Sequence, residues 1–177
     1  MLELRTPRLK LIAATLETAL AETRDRLELS ALLGASIPPG WPPPLNDEKS
    51  AQFFVDVLRK HPERSGWMMW YFVLDRPGGR TAIGNGGFKG PPVDGAVEVG
   101  YSIMEEVQGR GYATEAVSAL LEWAYAHGAE RVVAQTFPEL HASQKVLQKL
   151  GFHLTKGAHT PGALRYEKLR PHRADQT

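Results

Sequence analysis

In this 177-residue chain, Gln108-Gly109-Arg110-Gly111-Tyr112-Ala113 is the stretch whose residue types speak most directly of chemistry. It follows an apolar run from Val97 to Met104 and the acidic pair Glu105 and Glu106. It opens a helical pattern with apolar residues at Ala116, Val117, Leu120, Leu121 and Ala124, stopped by Gly128. The predicted order is strand, tight turn, helix. Gly109 and Gly111 let the main chain turn sharply and approach a ligand closely, and the first helical turn leaves its N–H groups without internal partners. Those donors converge at the positive end of the helix dipole and Arg110 adds a full charge, so the turn is a seat for a phosphate-type anion.

Other reactive groups are scarce. Cysteine is absent, which excludes disulfides, thiolate metal ligands and a cysteine acyl-enzyme. Histidines 61, 127, 141, 153, 159 and 172 form no i, i+4 pair, and no metal site is expected. Gly84-Asn85-Gly86-Gly87 has the look of a nucleotide loop, but no helical pattern follows it. A bulge or a close backbone approach within a strand is expected there instead.

The remaining elements must position that turn. Leu9 to Ala13 reads as a strand, and Thr15 caps a helix with apolar positions at Leu16, Ala19, Leu20 and Leu27. Five prolines between Ile37 and Leu45 forbid regular structure and make a stiff loop around Trp41. Trp41 either covers the edge of the core or walls a binding pocket. Asn46 or Asp47 caps a helix using Ala51, Phe54, Val55 and Leu58, ended by His61-Pro62. Trp67 to Leu74 is apolar on both alternating faces, which places it between two layers. Thr81 to Phe88 pairs back on it, Arg131 to Phe137 is a further strand, and His141 to Leu150 is a helix closed by Gly151. Phe152 to Lys156 and Ala163 to Leu169 complete the strands. The expected class is α/β (α+β), a mixed sheet of about seven strands with helices on both faces. Residues 1–169 are expected to form one domain and 170–177 a polar tail.

Composition removes whole classes of partner. Lys and Arg number 21 against 20 Asp and Glu, so no global field favours nucleic acid or an anionic membrane. No apolar run approaches the roughly 20 residues that span a bilayer, and the first five residues lack a signal-peptide layout. A cytoplasmic location is the default expectation.

Gln108-x-x-Gly111-x-Ala113, directly after Glu98-Val99-Gly100-Tyr101, resembles the acetyl-CoA pyrophosphate loop of the GCN5-related N-acetyltransferases. A second signature of that family, a strand followed by Asn-x-x-Ser on a helix ending in Leu-Gly-Phe, is similar to Arg131 to Phe137, His141-Ala142-Ser143 and Leu150-Gly151-Phe152. His141 is taken to stand where the pattern has Asn. Thr6-Pro7-Arg8-Leu9-Lys10-Leu11 resembles the opening strand of the Rim-type branch, which acetylates protein N-termini and includes relatives acting on small amines.

The resemblance implies acetyl-CoA as co-substrate and no metal. It assigns the pantetheine arm to the main chain near Ile103 and the diphosphate to Gln108, Gly109, Arg110, Gly111, Tyr112 and Ala113. Gln108 has a plainer alternative as a turn spacer. Glu98 is the candidate base, acting directly or through water, because its neighbours in alternation, Gly100 and Ser102, are small; the alternative is a carboxylate paired across strands. Some relatives carry a Glu where Gln135 stands, and Gln cannot take a proton. Ser143 matches a serine proposed in Rim-type relatives to polarise the departing thiolate, the alternative being a hydroxyl that satisfies helix backbone. His141 could bind cofactor, act as acid or base, or simply cap the helix. The tyrosine acid of other relatives would fall at Gln148.

The expected function is transfer of the acetyl group of acetyl-CoA to a primary amine, on a protein N-terminus or a small molecule, by direct attack in a ternary complex. An acyl-CoA-binding sensor that lost turnover is the alternative. A dinucleotide enzyme is disfavoured because no acidic ribose reader follows the turn. An exposed C-terminal edge strand would permit a homodimer.

Overall fold

The computed structural model describes residues 1–171. The tail expected from Arg170 lies, from residue 172 onward, outside the described residues. Among the described residues, eight strands make one sheet in the order β1-β2-β3-β4-β5-β6-β8-β7. They are β1 (Glu3–Arg5), β2 (Leu9–Ala13), β3 (Met69–Arg76), β4 (Gly79–Phe88), β5 (Ala96–Ile103), β6 (Arg131–Thr136), β7 (His153–Thr155) and β8 (Leu164–Leu169). Only β5 and β6 run parallel; every other pair is antiparallel. The extra strand relative to the sequence expectation is β1, three residues long and largely exposed, too short to show a period.

Among the described residues, five α-helices connect the strands: α1 (Leu16–Arg24), α2 (Arg26–Leu33), α3 (Glu48–Lys60), α4 (Tyr112–Ala126) and α5 (His141–Lys149). Thr15 caps α1 and Asp47 caps α3, each in a capping box. The single helix expected from Leu16 to Leu27 is two. Asp25 adopts extended backbone and its side chain accepts from the Leu27 N–H, which ends α1 and starts α2. Leu27 is therefore 81% exposed rather than part of an apolar stripe.

The sheet separates two cores, as the two-faced β3 requires. Trp70 and Phe72 pack with Leu11 and with Ala116, Val117 and Leu120 of α4. Tyr71 and Val73 point the other way, into the layer of α1, α2 and α3 with Leu29, Leu33, Val55 and Leu58. Full burial of a Val, Leu or Phe side chain among these contributes about 1.5–3 kcal/mol. In β4 the glycine run is a matter of close approach: a Cβ at Gly86 would sit 2.7 Å from the Phe72 ring, and the register of β3 on β4 shifts at Phe72/Val73.

Candidate active site

β5 and β6 stay together only from Ala96 to Val99, opposite Arg131 to Ala134. Beyond that point β5 keeps its partner β4 as far as Ile103, and β6 keeps β8 as far as Thr136. The two strands therefore diverge, and Gly100 to Ile103 have no strand on the β6 side. The parted strands open a fork in the middle of the sheet, and the Gly-rich turn follows at the end of β5.

That turn is an array of donors. None of the backbone N–H groups of Gly109, Arg110, Gly111, Tyr112, Ala113 and Thr114 donates to a described residue, whereas Gln108 N–H bonds Glu105 and Glu115 N–H bonds Gly111. Gly109 at φ 73° and Gly111 at φ 82° supply the left-handed conformations that turn those donors toward one another. The chain's first residues hold the array in place. Thr6 Oγ1 and the Arg8 N–H donate to Glu115 Oε1 at 2.6 and 2.8 Å, Arg8 Nε donates to Oε2 at 2.6 Å, and Arg8 Nη1 donates to the Arg110 carbonyl at 3.0 Å. Burial acts to raise the Glu115 pKa, but the bonds from Thr6 and Arg8 outweigh it and the net shift is downward.

Side chains in the turn are mostly committed. Tyr112 is buried under the Arg8 guanidinium and its hydroxyl accepts from Arg76, so only its N–H is free for a ligand. Gln108 Nε2 donates to the Ile103 carbonyl at 2.9 Å and ties the turn back to β5. Ile103 itself points into the α4 core. The Arg110 side chain is exposed and, among the described residues, bonds only the Glu106 carbonyl, so it can follow an anion.

Glu98 lies at the base of the fork, its side chain 13% exposed, ion-paired to Lys89 and accepting from Gln135 Nε2 at 3.1 and 3.2 Å. His159 of the β7–β8 loop stands 3.4 Å from its Oε2. Gly100, two residues on, is exposed and leaves open space above the strand. Ser102, further along that face, donates from its hydroxyl to the Pro44 carbonyl. On the opposite face, Tyr101 reaches across the fork to α5, where its hydroxyl lies 3.1 Å from Ser143 Oγ and 3.2 Å from the Ser143 carbonyl. Burial raises the Tyr101 pKa to about 12, the Ser143 bond partly opposing it.

Two of the residues singled out from the sequence stand apart from this cluster. His141 is exposed on the stripe of α5 shared with Gln144, Lys145 and Gln148, turned away from Ser143. Its placement in the pattern also needs correction: Asn-x-x-Ser, counted back from Ser143, falls on Leu140, which starts α5 without a side-chain cap. On that count the tyrosine place falls on buried Leu147 instead of Gln148. Trp41 lines a 660 Å³ cleft beside α1 and α3. It is nonetheless 4% exposed and its Nε1 donates to Glu22, so it is at once core cover and pocket wall. Lys89, Gln135, His159 and Tyr101 escaped notice as partners of Glu98 and Ser143. Tyr101 and Gln135 both lie within the segments that carry the family resemblance.

A diverging pair of strands followed by a Gly-rich turn into a helix matches an acyl-CoA acyltransferase fold, and the comparisons with known proteins agree on the fold. The family model "Acetyltransferase (GNAT) domain" matches residues 2–153, and the chain belongs to that family. It is an acetyl-CoA-dependent acetyltransferase. An uncharacterised N-acetyltransferase of Bacillus subtilis (strain 168), YjdG, is 29% identical over 160 residues, which cover 87% of this chain and 91% of the relative. An acetyltransferase from Agrobacterium tumefaciens str. C58 superposes with a TM-score of 0.66 at 24% identity, over 96% of this chain and 95% of the other. The RimL ribosomal L7/L12 alpha-N-protein acetyltransferase, solved in complex with coenzyme A, superposes with a TM-score of 0.64 at 21% identity, over 93% and 95%. These structural likenesses speak to the fold.

The residues present fit coenzyme A. Six converging amides and Arg110 suit a diphosphate, and the open side of Gly100 to Ile103 offers main-chain partners to an amide-bearing arm.

Proposed function

We propose that the protein is an N-acetyltransferase that moves the acetyl group of acetyl-CoA to a primary amine by direct attack within a ternary complex. The observation that carries this is the pairing of the parted β5 and β6 with six amides at residues 109–114 that donate to none of the described residues. Acetyl-CoA supplies the activated thioester, and the chain's residues orient it and manage protons. Glu98 takes the proton of the attacking amine, directly or through a water. As the N–C bond forms the C–S bond breaks, and the Ser143 hydroxyl, steadied by Tyr101, polarises the departing thiolate. An α-amino group with a pKa near 8 needs little help to lose its proton, whereas a lysine near 10.4 needs more, so a carboxylate suits an N-terminus or a small amine of similar basicity. The bareness of Gly100 leaves room for the amine over the strand.

The Rim-like opening supports a peptide N-terminus or a small amine as acceptor, and a cytoplasmic setting belongs to the same proposal. The β7 edge, with Leu154 61% exposed, leaves room for a homodimer, which light scattering reads directly. Thiol release from acetyl-CoA over a panel of amines, with initial rates varied in both substrates, tests the main proposal. Intersecting double-reciprocal lines are expected, and parallel lines with an isolable acetyl-enzyme would overturn it. The ion pair with Lys89 engages part of the proposed base, and calorimetric binding of acetyl-CoA without thiol release on any amine would count against the proposed transfer to an amine.

A further inference from the structure

The cleft beside the fork contains a carboxylate that acetyl transfer as described does not use. Glu22 of α1 accepts from Trp41 Nε1 through Oε1 and from the Tyr71 hydroxyl through Oε2, both at 2.8 Å. Both donors are neutral, and Glu22 takes part in none of the ion pairs among the described residues. Burial raises its pKa, the two hydrogen bonds only partly opposing. A carboxylate taken out of water without a counter-ion is costly to keep, and a fold retains one where something cationic arrives to meet it.

The cleft has the shape and sign for that arrival. It encloses 660 Å³ between α1, the Trp41 loop and α3, and its lining carries Glu22, Asp47 and Glu48 against the single cation Arg26. Arg26 spends its guanidinium on the carbonyls of Pro39 and Trp41, at 2.8 and 2.7 Å, and so braces the loop. At the floor lies Asn85, opposite Ser102 in the β4–β5 ladder, with Gly100 two residues along the same face of β5. Cleft and fork therefore adjoin on one side of the sheet.

We propose that this cleft selects acceptors bearing a second cationic group, an ammonium or guanidinium a few bonds from the reacting amine, with Glu22 as its counter-ion. The proposal rests on the acetyltransferase reading for the identity of the reacting amine. It makes Glu22 a specificity residue rather than a catalytic one. A Glu22 that only anchored α1 to Tyr71 would influence stability but would not discriminate between amines of equal length.

Calorimetry on the full chain saturated with coenzyme A, using 1,4-diaminobutane and n-butylamine as probes, tests it. The diamine is expected to bind at least tenfold more tightly than the monoamine, and Glu22→Gln to erase that ratio. Equal affinities in the unaltered protein, no binding of the diamine, or a ratio that survives Glu22→Gln would each overturn it. Ala51→Lys, which sets a tethered ammonium in the same cleft wall, is a second probe that leaves the core untouched; it is expected to weaken diamine binding tenfold or more, and unchanged binding counts against the proposal. Tetrapeptides with Lys or norleucine in second position tell a peptide source of the cation from a free diamine. Thiol release keeps the two readings apart. Tight diamine binding with thiol release on none of the panel amines sinks the proposed transfer to an amine and leaves the cleft's selectivity standing, whereas acetylation of both amines with equal KM does the reverse.

Discussion

Gln135 donates from Nε2 to both carboxylate oxygens of Glu98, while its own Oε1 accepts from the main-chain N–H groups of His159 and Thr160, each at 3.1 Å. Two backbone donors on the oxygen fix which way the amide faces, so the direction of its N–H groups toward Glu98 follows from the network. One neutral side chain thus joins β5, β6 and the β7–β8 loop. A Glu in that place would set two carboxylates against each other.

Removing this link should be felt at the proposed base. Gln135→Leu takes a hydrogen bond from an ionised group, a loss of about 1.5–3 kcal/mol, or on the order of 10–100-fold in kcat/KM for the amine. KM for acetyl-CoA should not move, because the phosphate seat is elsewhere. Steady-state thiol release reads both, and an unaltered kcat/KM would mean that Glu98 needs no such support.

Glu98→Gln keeps the shape and the partner Gln135 but removes the proton acceptor. Loss of a general base is worth about 10²–10⁴-fold, so kcat should fall by that order while coenzyme A affinity stays constant. A kcat within threefold of the starting protein would hand the role to bulk water or to another group.

The proposed phosphate seat can be probed without disturbing the core at Gly109, whose φ of 73° L side chains rarely adopt and whose Cβ would meet nothing within 4 Å. Gly109→Val imposes only backbone strain, on the order of 1–3 kcal/mol, which the turn relieves by swinging its N–H groups out of convergence. Coenzyme A should bind about tenfold or more weakly by calorimetry, with a small change in Tm. Equal affinity would remove residues 109–114 from the diphosphate.

Much of this was readable from the chain because the signals are local. Gly109, Gly111 and the stripe Ala116, Val117, Leu120, Leu121, Ala124 lie within one strand-turn-helix unit, where period and glycine placement speak for themselves. The two-faced run at Trp70 to Val73 likewise announced helices on both sides. The company of Glu98 was illegible, since Lys89, Gln135 and His159 reach it from three other segments and only the finished sheet brings them together. Leu27 misled for the opposite reason: its spacing fitted a helix, but the local hydrogen bond of Asp25 ended that helix first.

Glu115 ties the chain's start to the first turn of α4, and its stability contribution should depend on pH. Its folded pKa is lowered because the bonds from Thr6 and Arg8 exceed the opposing effect of burial. The stabilisation is therefore complete above the unfolded value of about 4.3 and is lost as pH falls through the folded value. Glu115→Gln should lower Tm near neutrality by a few degrees, at about 2–4 °C per kcal/mol for a chain of this size, and the gap should close in acid. A gap that stays constant between pH 7 and about 3 would mean that the charge of Glu115 contributes nothing.

Tyr101 and Ser143 should act as one unit on the leaving thiolate. With its pKa raised to about 12, the tyrosine hydroxyl keeps its proton across the working range and can donate to Ser143 Oγ, which frees the serine proton to face the departing sulfur. A thiol with a pKa near 8.5 leaves tolerably unaided, so Ser143→Ala is expected to cost less than about tenfold in kcat. Tyr101→Phe should cost a similar factor, and the double variant no more than either single one, because each removal breaks the same relay. Multiplicative losses in the double variant would separate the two groups. A kcat profile limited by Tyr101 would fall only near pH 12, so an alkaline limb below about pH 10 that disappears in Tyr101→Phe would overturn its assignment as a permanently protonated donor.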